Sequence, residues 1–212
     1  MTLSHSFLLL LLAYLFGSLP IGLLVGRMVK GIDVRDYGSG NIGASNVWRT
    51  MGPLWGTAVF LCDFCKGYFP TVLTARLHAH LPQTSAWLPV AVGLAAILGH
   101  NFSPFLRFKG GKGVATSLGV VFGLSPIAAG VGFAVWGVCL FFTRYISVSS
   151  MIAAVITSGV LIALFPDLPH VAFAALVALF VIVKHRPNLA RLRAGTEPKV
   201  KRGMRPGAGA GA

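Results

Sequence analysis

Three polar, glycine-rich segments in this otherwise apolar chain carry residue types that can bind anions. The first segment, 37–49, places Gly38, Gly40 and Gly43 among serine and asparagine side chains and ends at Arg49. Glycine allows backbone N–H groups to converge on an anion, and arginine can hold a phosphate through two hydrogen bonds. The segment therefore predicts a phosphate site, with a plain turn before a helix as the alternative. Its candidate residues are Ser39, Gly40, Asn41, Asn46 and Arg49.

The second segment, 100–116, has two lysines around a pair of glycines, directly before an apolar run that predicts a helix. Free N–H groups and the positive end of the dipole at a helix N-terminus attract anions. It is not a nucleotide-binding P-loop, because Gly113 stands where that motif requires serine or threonine. We predict phosphate binding here, with a basic anchor at the lipid headgroups as the alternative. The candidates are Lys109, Gly110, Gly111, Lys112, Gly113 and Thr116, while His100 and Asn101 either line the site or hold its loops.

The third segment, 184–197, combines cations with a histidine and an asparagine. Lys184, Asn188 and Arg191 are three or four residues apart and could share one helical face. His185 is the group in this segment that would titrate near neutral pH. A basic flank beside a membrane span would explain the lysine and arginines, but it would not explain Asn188 or Glu197.

Composition restricts what kind of protein can carry these segments. Hydrophobic residues make up 55% of the 212 residues and charged residues only 11%, so the chain cannot cover a water-soluble globule with polar surface. The formal net charge is +13. Nucleic-acid binders place such charge on soluble folds, whereas membrane proteins collect it on cytoplasmic loops. The sequence therefore predicts an all-α, polytopic membrane bundle without a nucleic-acid partner.

Apolar runs predict seven transmembrane helices. They cover residues 7–29, 53–74, 86–99, 114–124, 127–142, 148–165 and 170–183. The fourth and fifth are separated at Pro126, because one helix over 113–142 would be about 45 Å long, against a hydrocarbon core of roughly 30 Å. Five spans, with 113–142 unbroken, are the alternative.

The distribution of lysine and arginine predicts the orientation of the spans. The cation-rich segments are 27–49, 107–112, Arg144 and 184–205. With seven spans and the N-terminus outside, all of them and the C-terminus fall on the cytoplasmic side, as the positive-inside rule requires. Five spans would leave Arg144 outside. We expect residues 1–202 to form one transmembrane domain and the Gly/Ala-rich tail, 203–212, to be disordered.

Two ionisable residues lie within the second predicted span. A charged side chain at a helix centre costs about 2.5–3.5 kcal/mol on insertion scales. Asp63 and Lys66 are three residues apart and can offset much of that cost by pairing. The sequence leaves open whether the pair only supports the structure or also serves the substrate.

Together the three segments resemble the bacterial acyl-phosphate:glycerol-3-phosphate acyltransferases, the PlsY family. The resemblance rests on GSGNIGASNVWR (38–49), GHNFSPFLRFKGGKGVAT (99–116) and KHRPNLARLRAGTEP (184–198), and Asp63 and Lys66 with the glycine that follows also fit it. Ser45 replaces a more usual threonine, and Pro187 is unusual in the third segment.

The resemblance implies a seven-span enzyme of the bacterial inner membrane with its active site facing the cytoplasm. It implies transfer of a fatty acyl group from acyl phosphate to the 1-hydroxyl of sn-glycerol 3-phosphate, the first step of phospholipid synthesis. The products would be lysophosphatidate and phosphate. It implies no cofactor, no metal and no use of acyl-CoA or acyl carrier protein.

An acyl phosphate is already activated, so this reaction needs positioning and charge stabilisation rather than a covalent nucleophile. We assign phosphate binding to Lys112, Arg49 and the amides of the 110–113 glycines, and Ser39 would orient one phosphate. His185 and Asn188 would orient the acceptor, with His185 or the leaving phosphate taking the proton. Glu197 would brace a neighbouring segment. A membrane transporter or channel for a small organic phosphate is the alternative function.

Overall fold

The structure is a computed structural model that describes residues 3–81 and 84–200. These residues form ten α-helices and no β-strand, which confirms the predicted all-helical class. The helices are α1 (Leu3–Gly17), α2 (Ile21–Lys30), α3 (Ala44–Met51), α4 (Pro53–His80), α5 (Trp87–Asn101), α6 (Val114–Leu124), α7 (Pro126–Thr143), α8 (Ile146–Leu164), α9 (Leu168–Lys184) and α10 (Arg186–Arg193). The predicted tail, 203–212, lies outside the described residues.

Four helical stretches in the described part of the chain are long and apolar enough to cross a membrane. They are Ser4–Lys30, Trp87–Leu106, Pro126–Thr143 and Ile146–Leu164. Helices α9 and α10, which meet at a bend of 49°, would together make a fifth. Helix α4 has 28 residues but contains a buried charged pair, and α6 has only 11 residues. The chain is therefore a multi-span helical membrane protein, and the count of seven stays a prediction.

The predicted break at Pro126 is confirmed. Helix α6 ends at Leu124 and α7 begins at Pro126. Ser125 lies between them, and its hydroxyl accepts a hydrogen bond from the amide of Ala128 at 3.3 Å. Proline fits the first helical position because the N–H that it lacks would have no partner there.

The first predicted span, 7–29, is interrupted rather than continuous. Helix α1 ends at Gly17 and α2 begins at Ile21, with Pro20 between them. Proline has no N–H to donate and disfavours a helical conformation in the residue before it. The break leaves the carbonyl of Leu19 free to accept a hydrogen bond from the ammonium of Lys66 at 2.8 Å.

Helices α4 and α6 pack closely because glycines face the neighbouring backbone. A Cβ on Gly67 would lie 2.1 Å from the carbonyl oxygen of Thr116, and one on Gly119 would lie 2.0 Å from that of Phe64. Small residues allow such close approach between membrane helices. This packing fixes the start of α6, and the loop before it, against α4.

Helix ends gather at two opposite ends of the bundle. At one end, the C-terminus of α5 contacts the end of α9 and the glycine-rich loop before α6. At the other end, residues of α4, α5, α6 and α9 line a cavity of about 250 Å³, among them His78, Pro89, Leu124 and His170. The first end joins segments that the sequence predicts to be cytoplasmic, and the second joins segments predicted to be outside.

Candidate functional site

A short chain of hydrogen bonds joins the second and third polar segments. The ammonium of Lys112, in the loop before α6, donates to Oδ1 of Asn188 on α10 at 2.6 Å. The side-chain amide of Asn188 in turn donates to Oε1 of Glu197 at 2.7 Å. The Asn188 amide therefore connects Lys112 to Glu197, with one hydrogen bond at its oxygen and one at its nitrogen.

Glu197 is the anionic centre of this region. Its buried carboxylate accepts hydrogen bonds from Ser147 at 2.7 Å and from Nε of Arg191 at 2.8 Å, in addition to that from Asn188. Burial by itself would raise the pKa of this carboxyl, but the three donors outweigh it and hold the pKa below its ordinary value. The predicted bracing role of Glu197 fits this geometry.

Three cations surround the single carboxylate. Arg49 interacts electrostatically with Glu197 and Arg191, and Lys112 interacts with all three of these groups. Burial, helped by repulsion from Arg191 and Arg49, lowers the pKa of Lys112 to about 8, against the attraction of Glu197. With one carboxylate against three cations, two positive charges are left without a counterion in this group of residues. A phosphate ester, which carries about −1.5 to −2 charges at pH 7, matches that excess.

His185 lies beside this cluster with one ring nitrogen fixed. The residue is buried, and Nδ1 is 2.7 Å from the carbonyl oxygen of Val181, one helical turn earlier. Because a carbonyl can only accept, Nδ1 must carry the proton of a neutral ring, which leaves the lone pair on Nε2. The side chain is close enough to Lys112 to interact with it electrostatically. The neutral ring can therefore accept a hydrogen bond at Nε2, while burial and the Lys112 ammonium disfavour a second proton on the ring.

The first segment folds around Asn46, which has no free polar group. Its Oδ1 accepts from the amide and the hydroxyl of Ser39 at 2.7 and 3.2 Å, and its Nδ2 donates to the carbonyl of Val34 at 2.7 Å. Asn41 accepts from the amide of Gly43, and the amide of Gly40 donates to the carbonyl of Tyr37. In this structure Asn41, Asn46 and the Gly40 amide shape the loop, and Ser39 is held beside α3, which carries Arg49.

The glycine-rich loop differs from the prediction in how its amides are used. The amides of Gly110 and Gly111 donate to the carbonyls of Asn101 and His100 at 3.3 and 3.0 Å, so they seat the loop rather than face an anion. The amide of Gly113 has no such partner within the described chain. Lys109 is exposed, and the hydroxyl of Thr116 is fully buried without a hydrogen-bond partner among the described residues.

Lys184 does not share a face with Asn188 and Arg191, contrary to the sequence prediction. It donates to the carbonyl of Asn101 at 3.0 Å and lies 4.1 Å from the centre of the Phe102 ring. The bend of 49° between α9 and α10 redirects the chain after Lys184. Lys184 thus holds the end of α5, and Asn188 and Arg191 meet Glu197.

The predicted pair of Asp63 and Lys66 is confirmed, with 2.8 Å between the charged groups and both side chains buried. His100 adjoins it, with Nδ1 3.2 Å from the Lys66 ammonium. Asp63, Lys66 and His100 lie behind the glycine-rich loop. They are separate from the Glu197 cluster, which consists of Glu197 and the residues around it, Arg49, Lys112, Ser147, Asn188 and Arg191. Among the described residues, no group of three or more His, Cys, Asp or Glu could hold a metal ion.

Sequence reasoning did not predict two residues of the Glu197 cluster, Arg191 and Ser147, as part of the site. For Arg191, the available sequence signal is its position in the basic third segment, three residues after Asn188. Ser147 lies in an apolar run at the start of α8, and nothing in its sequence surroundings marks it. Only the folded arrangement brings its hydroxyl to Glu197.

Fold and site together define a multi-span membrane protein with a cation-rich polar site at one end of its helical bundle. The chain belongs to the glycerol-3-phosphate acyltransferase family, since the profile described as Glycerol-3-phosphate acyltransferase matches residues 7–195. A protein of that name from Trichlorobacter lovleyi is 47% identical over 190 residues, which are 89% of this chain and 94% of that protein. A protein of the same name from Synechocystis sp. is 43% identical over 198 residues, which are 91% of this chain and 89% of that protein.

Solved structures agree with this membership. The glycerol 3-phosphate form of PlsY (YgiH), described as an integral membrane glycerol 3-phosphate acyltransferase, matches with a TM-score of 0.88 at 36% identity. The match covers 93% of this chain and 96% of that one. Its lysophosphatidic acid form gives a TM-score of 0.84 at 37% identity with the same coverage. The predicted family is confirmed.

Proposed function

We propose that this protein transfers a fatty acyl group from acyl phosphate to the 1-hydroxyl of sn-glycerol 3-phosphate, as the first step of phospholipid synthesis. The observation that carries the proposal is the gathering of Arg49, Lys112 and Arg191 around the single carboxylate of Glu197. Both substrates bring a phosphate group to this excess of positive charge. The names of the relatives, and the glycerol 3-phosphate and lysophosphatidic acid forms of PlsY, support the same acceptor and product.

The reaction balances without a covalent enzyme intermediate. The 1-hydroxyl oxygen attacks the carbonyl carbon of acyl phosphate, and the bond from that carbon to the phosphate oxygen breaks. The electron pair leaves with inorganic phosphate, and the hydroxyl proton passes to Nε2 of His185 or to the departing phosphate. The protein contributes by holding both reactants in place and by stabilising the negative charge that develops.

The geometry supports a division of labour among the candidate residues. Lys112 and Arg49 bind phosphate, with the amide of Gly113 and the hydroxyl of Ser39 available to orient it. His185 faces the acceptor hydroxyl. Asn188 and Glu197 act by holding Lys112 and Arg191, to which they are hydrogen-bonded. We assign residues 1–202 to one catalytic domain.

We further propose seven spans in the bacterial inner membrane, with the N-terminus outside and the site facing the cytoplasm. The separate gathering of helix ends at two ends of the bundle supports this arrangement, and so does the concentration of lysine and arginine near the site end. Glycerol 3-phosphate and acyl phosphate headgroups would then reach the site from the cytoplasm, and the acyl chain would lie among the helices.

An assay with two donors tests the reaction. Purified protein given glycerol 3-phosphate should form lysophosphatidate with palmitoyl phosphate and none above blank with palmitoyl-CoA. In membrane vesicles, water-soluble glycerol 3-phosphate added outside should react in inside-out vesicles and not in sealed right-side-out ones. Product from palmitoyl-CoA alone would contradict the proposed donor, and no product from either donor would favour the transporter alternative.

The pKa of Lys112 predicts how substrate binding depends on pH. Lys112 is protonated below its pKa of about 8 and loses its charge above it. The phosphate of the substrate is already a dianion above about pH 7, since its second pKa is near 6. KM for glycerol 3-phosphate should therefore rise above pH 8, by up to about tenfold per pH unit. Kinetics from pH 6.5 to 9.5 measure this, and a flat KM profile would contradict it.

A further inference from the structure

A buried cluster behind the active-site loop joins Lys66 to an aspartate, a backbone carbonyl and a histidine. The ammonium contacts Oδ1 of Asp63 and the carbonyl of Leu19, each at 2.8 Å, and Nδ1 of His100 at 3.2 Å. An ammonium donates and never accepts, so the carbonyl of Leu19 and Nδ1 of His100 both accept from Lys66, and Asp63 forms the ion pair with it. Lys66 and His100 are both nearly inaccessible to solvent.

This arrangement fixes the protonation of His100. Since Nδ1 accepts from Lys66, the proton of the neutral ring is on Nε2. Nδ1 is 3.7 Å from Oδ1 of Asp63, which is too long for a direct hydrogen bond. The imidazole is therefore held on one side by the buried ion pair and presents its Nε2 side to the opposite neighbour.

That neighbour is the glycine-rich loop. A Cβ on Gly111 would lie 2.1 Å from Nε2 of His100, and its next nearest atoms, both at 3.0 Å, belong to the same ring. The carbonyl of His100 accepts the amide of Gly111, and that of Asn101 accepts both the amide of Gly110 and the ammonium of Lys184. The residue next in the chain after Gly111 is Lys112.

We propose that His100 is a positioning residue for Lys112, and that the buried pair of Asp63 and Lys66 acts through it. The ion pair orients the imidazole, the imidazole and its backbone carbonyl seat Gly111, and Gly111 sets the start of the Lys112 side chain. The assignment of Lys112 as a phosphate ligand rests on the proposed function, but the seating of the loop does not. This gives the charges inside α4 a task in the reaction besides supporting the bundle.

Alanine substitutions in two backgrounds test the contact. Gly111→Ala should lower both the melting temperature in detergent and kcat/KM in the wild-type background. In a His100→Ala background, Gly111→Ala should lower the melting temperature and kcat/KM little further, because the imidazole ring with which its Cβ would overlap is absent. Gly110→Ala is the matched control, since its Cβ would lie 2.0 Å from the backbone carbonyl oxygen of His100. Gly110→Ala should lower the melting temperature equally in the wild-type and His100→Ala backgrounds, because both keep that backbone oxygen.

A cost of Gly111→Ala that is unchanged by His100→Ala would overturn the contact. The melting temperatures answer this even if the protein has no acyltransferase activity, so failure of the proposed function remains distinguishable. Gly111→Ala, His100→Ala and the double variant form a double-mutant cycle. Effects of substitutions at two residues in contact are expected not to add.

Two kinetic readouts separate positioning from simple support. In His100→Ala the loop is released and Lys112 becomes more hydrated, so the rise of KM for glycerol 3-phosphate should move to a pH above that of the wild type. His100→Gln keeps an acceptor for Lys66 and a donor toward the loop, so it should recover kcat/KM by tenfold or more relative to His100→Ala. Gly132→Ala would place its Cβ 1.9 Å from the Thr157 hydroxyl, between α7 and α8, and should lower the melting temperature without moving the pH profile. An unmoved pH profile in His100→Ala, or no recovery with glutamine, would overturn the positioning role.

Discussion

Replacing Lys112 with alanine is expected to lower kcat/KM for glycerol 3-phosphate by about 10²–10³-fold, the loss typical of removing one donor that stabilises developing negative charge. The ammonium is held 2.6 Å from Oδ1 of Asn188, so it is already oriented before substrate arrives. Its removal takes away one of the three cations around Glu197. Steady-state kinetics with palmitoyl phosphate and varied glycerol 3-phosphate measure the loss.

The matched variants for Lys112→Ala separate charge from geometry. Lys112→Arg keeps the charge but replaces a compact ammonium with a planar guanidinium, so its kcat/KM should lie between those of wild type and Lys112→Ala. Because arginine stays charged at these pH values, the rise of KM near pH 8 should disappear. Lys30→Ala removes an exposed cation from the end of α2 and should stay within about twofold of wild type. If Lys112→Ala also stayed within twofold, Lys112 would not be a phosphate ligand.

The fold was largely predictable because long apolar runs indicate helices in a membrane and proline indicates where a helix begins or breaks. The run 114–124 coincides with α6, and Pro126 marks the next helix start. The span over 7–29 follows from its apolar composition, but the break in its helix between Gly17 and Ile21 does not. Hydropathy reports how apolar a segment is. A break of the helix within an apolar run leaves that hydropathy unchanged.

The site was predictable at the level of segments and not at the level of individual atoms. Residue types marked Arg49, Lys112 and His185, because cations and a histidine are rare in an apolar chain. Whether an asparagine contacts substrate or another side chain depends on partners distant in sequence. Asn46 is satisfied by Ser39 and Val34, and spacing along the chain does not determine such pairings.

Replacing Glu197 with glutamine is expected to destabilise the protein by about 1–3 kcal/mol, the typical cost of leaving hydrogen-bonded groups in a buried site without their partner. The carboxylate accepts from three donors, whereas a glutamine amide has a single acceptor oxygen and presents an N–H₂ group to one of them. Arg191, Lys112 and Arg49 also lose the carboxylate with which all three interact in the described part of the chain. Thermal unfolding in detergent, together with kcat/KM, measures both consequences.

Two companion variants identify the cause of the Glu197→Gln effect. Ser147→Ala removes one neutral donor and leaves the charges intact, so it should cost only about 1 kcal/mol. Glu197→Gln with Arg191→Gln removes both partners of the pair, so it should regain much of the stability while kcat/KM stays low. If the double variant were no more stable than Glu197→Gln, the loss would come from the broken hydrogen bonds of Ser147 and Asn188 rather than from an uncompensated charge. Recovery of stability without activity would instead mean that the carboxylate, by placing Arg191 and Asn188, serves the reaction through the side chains it holds.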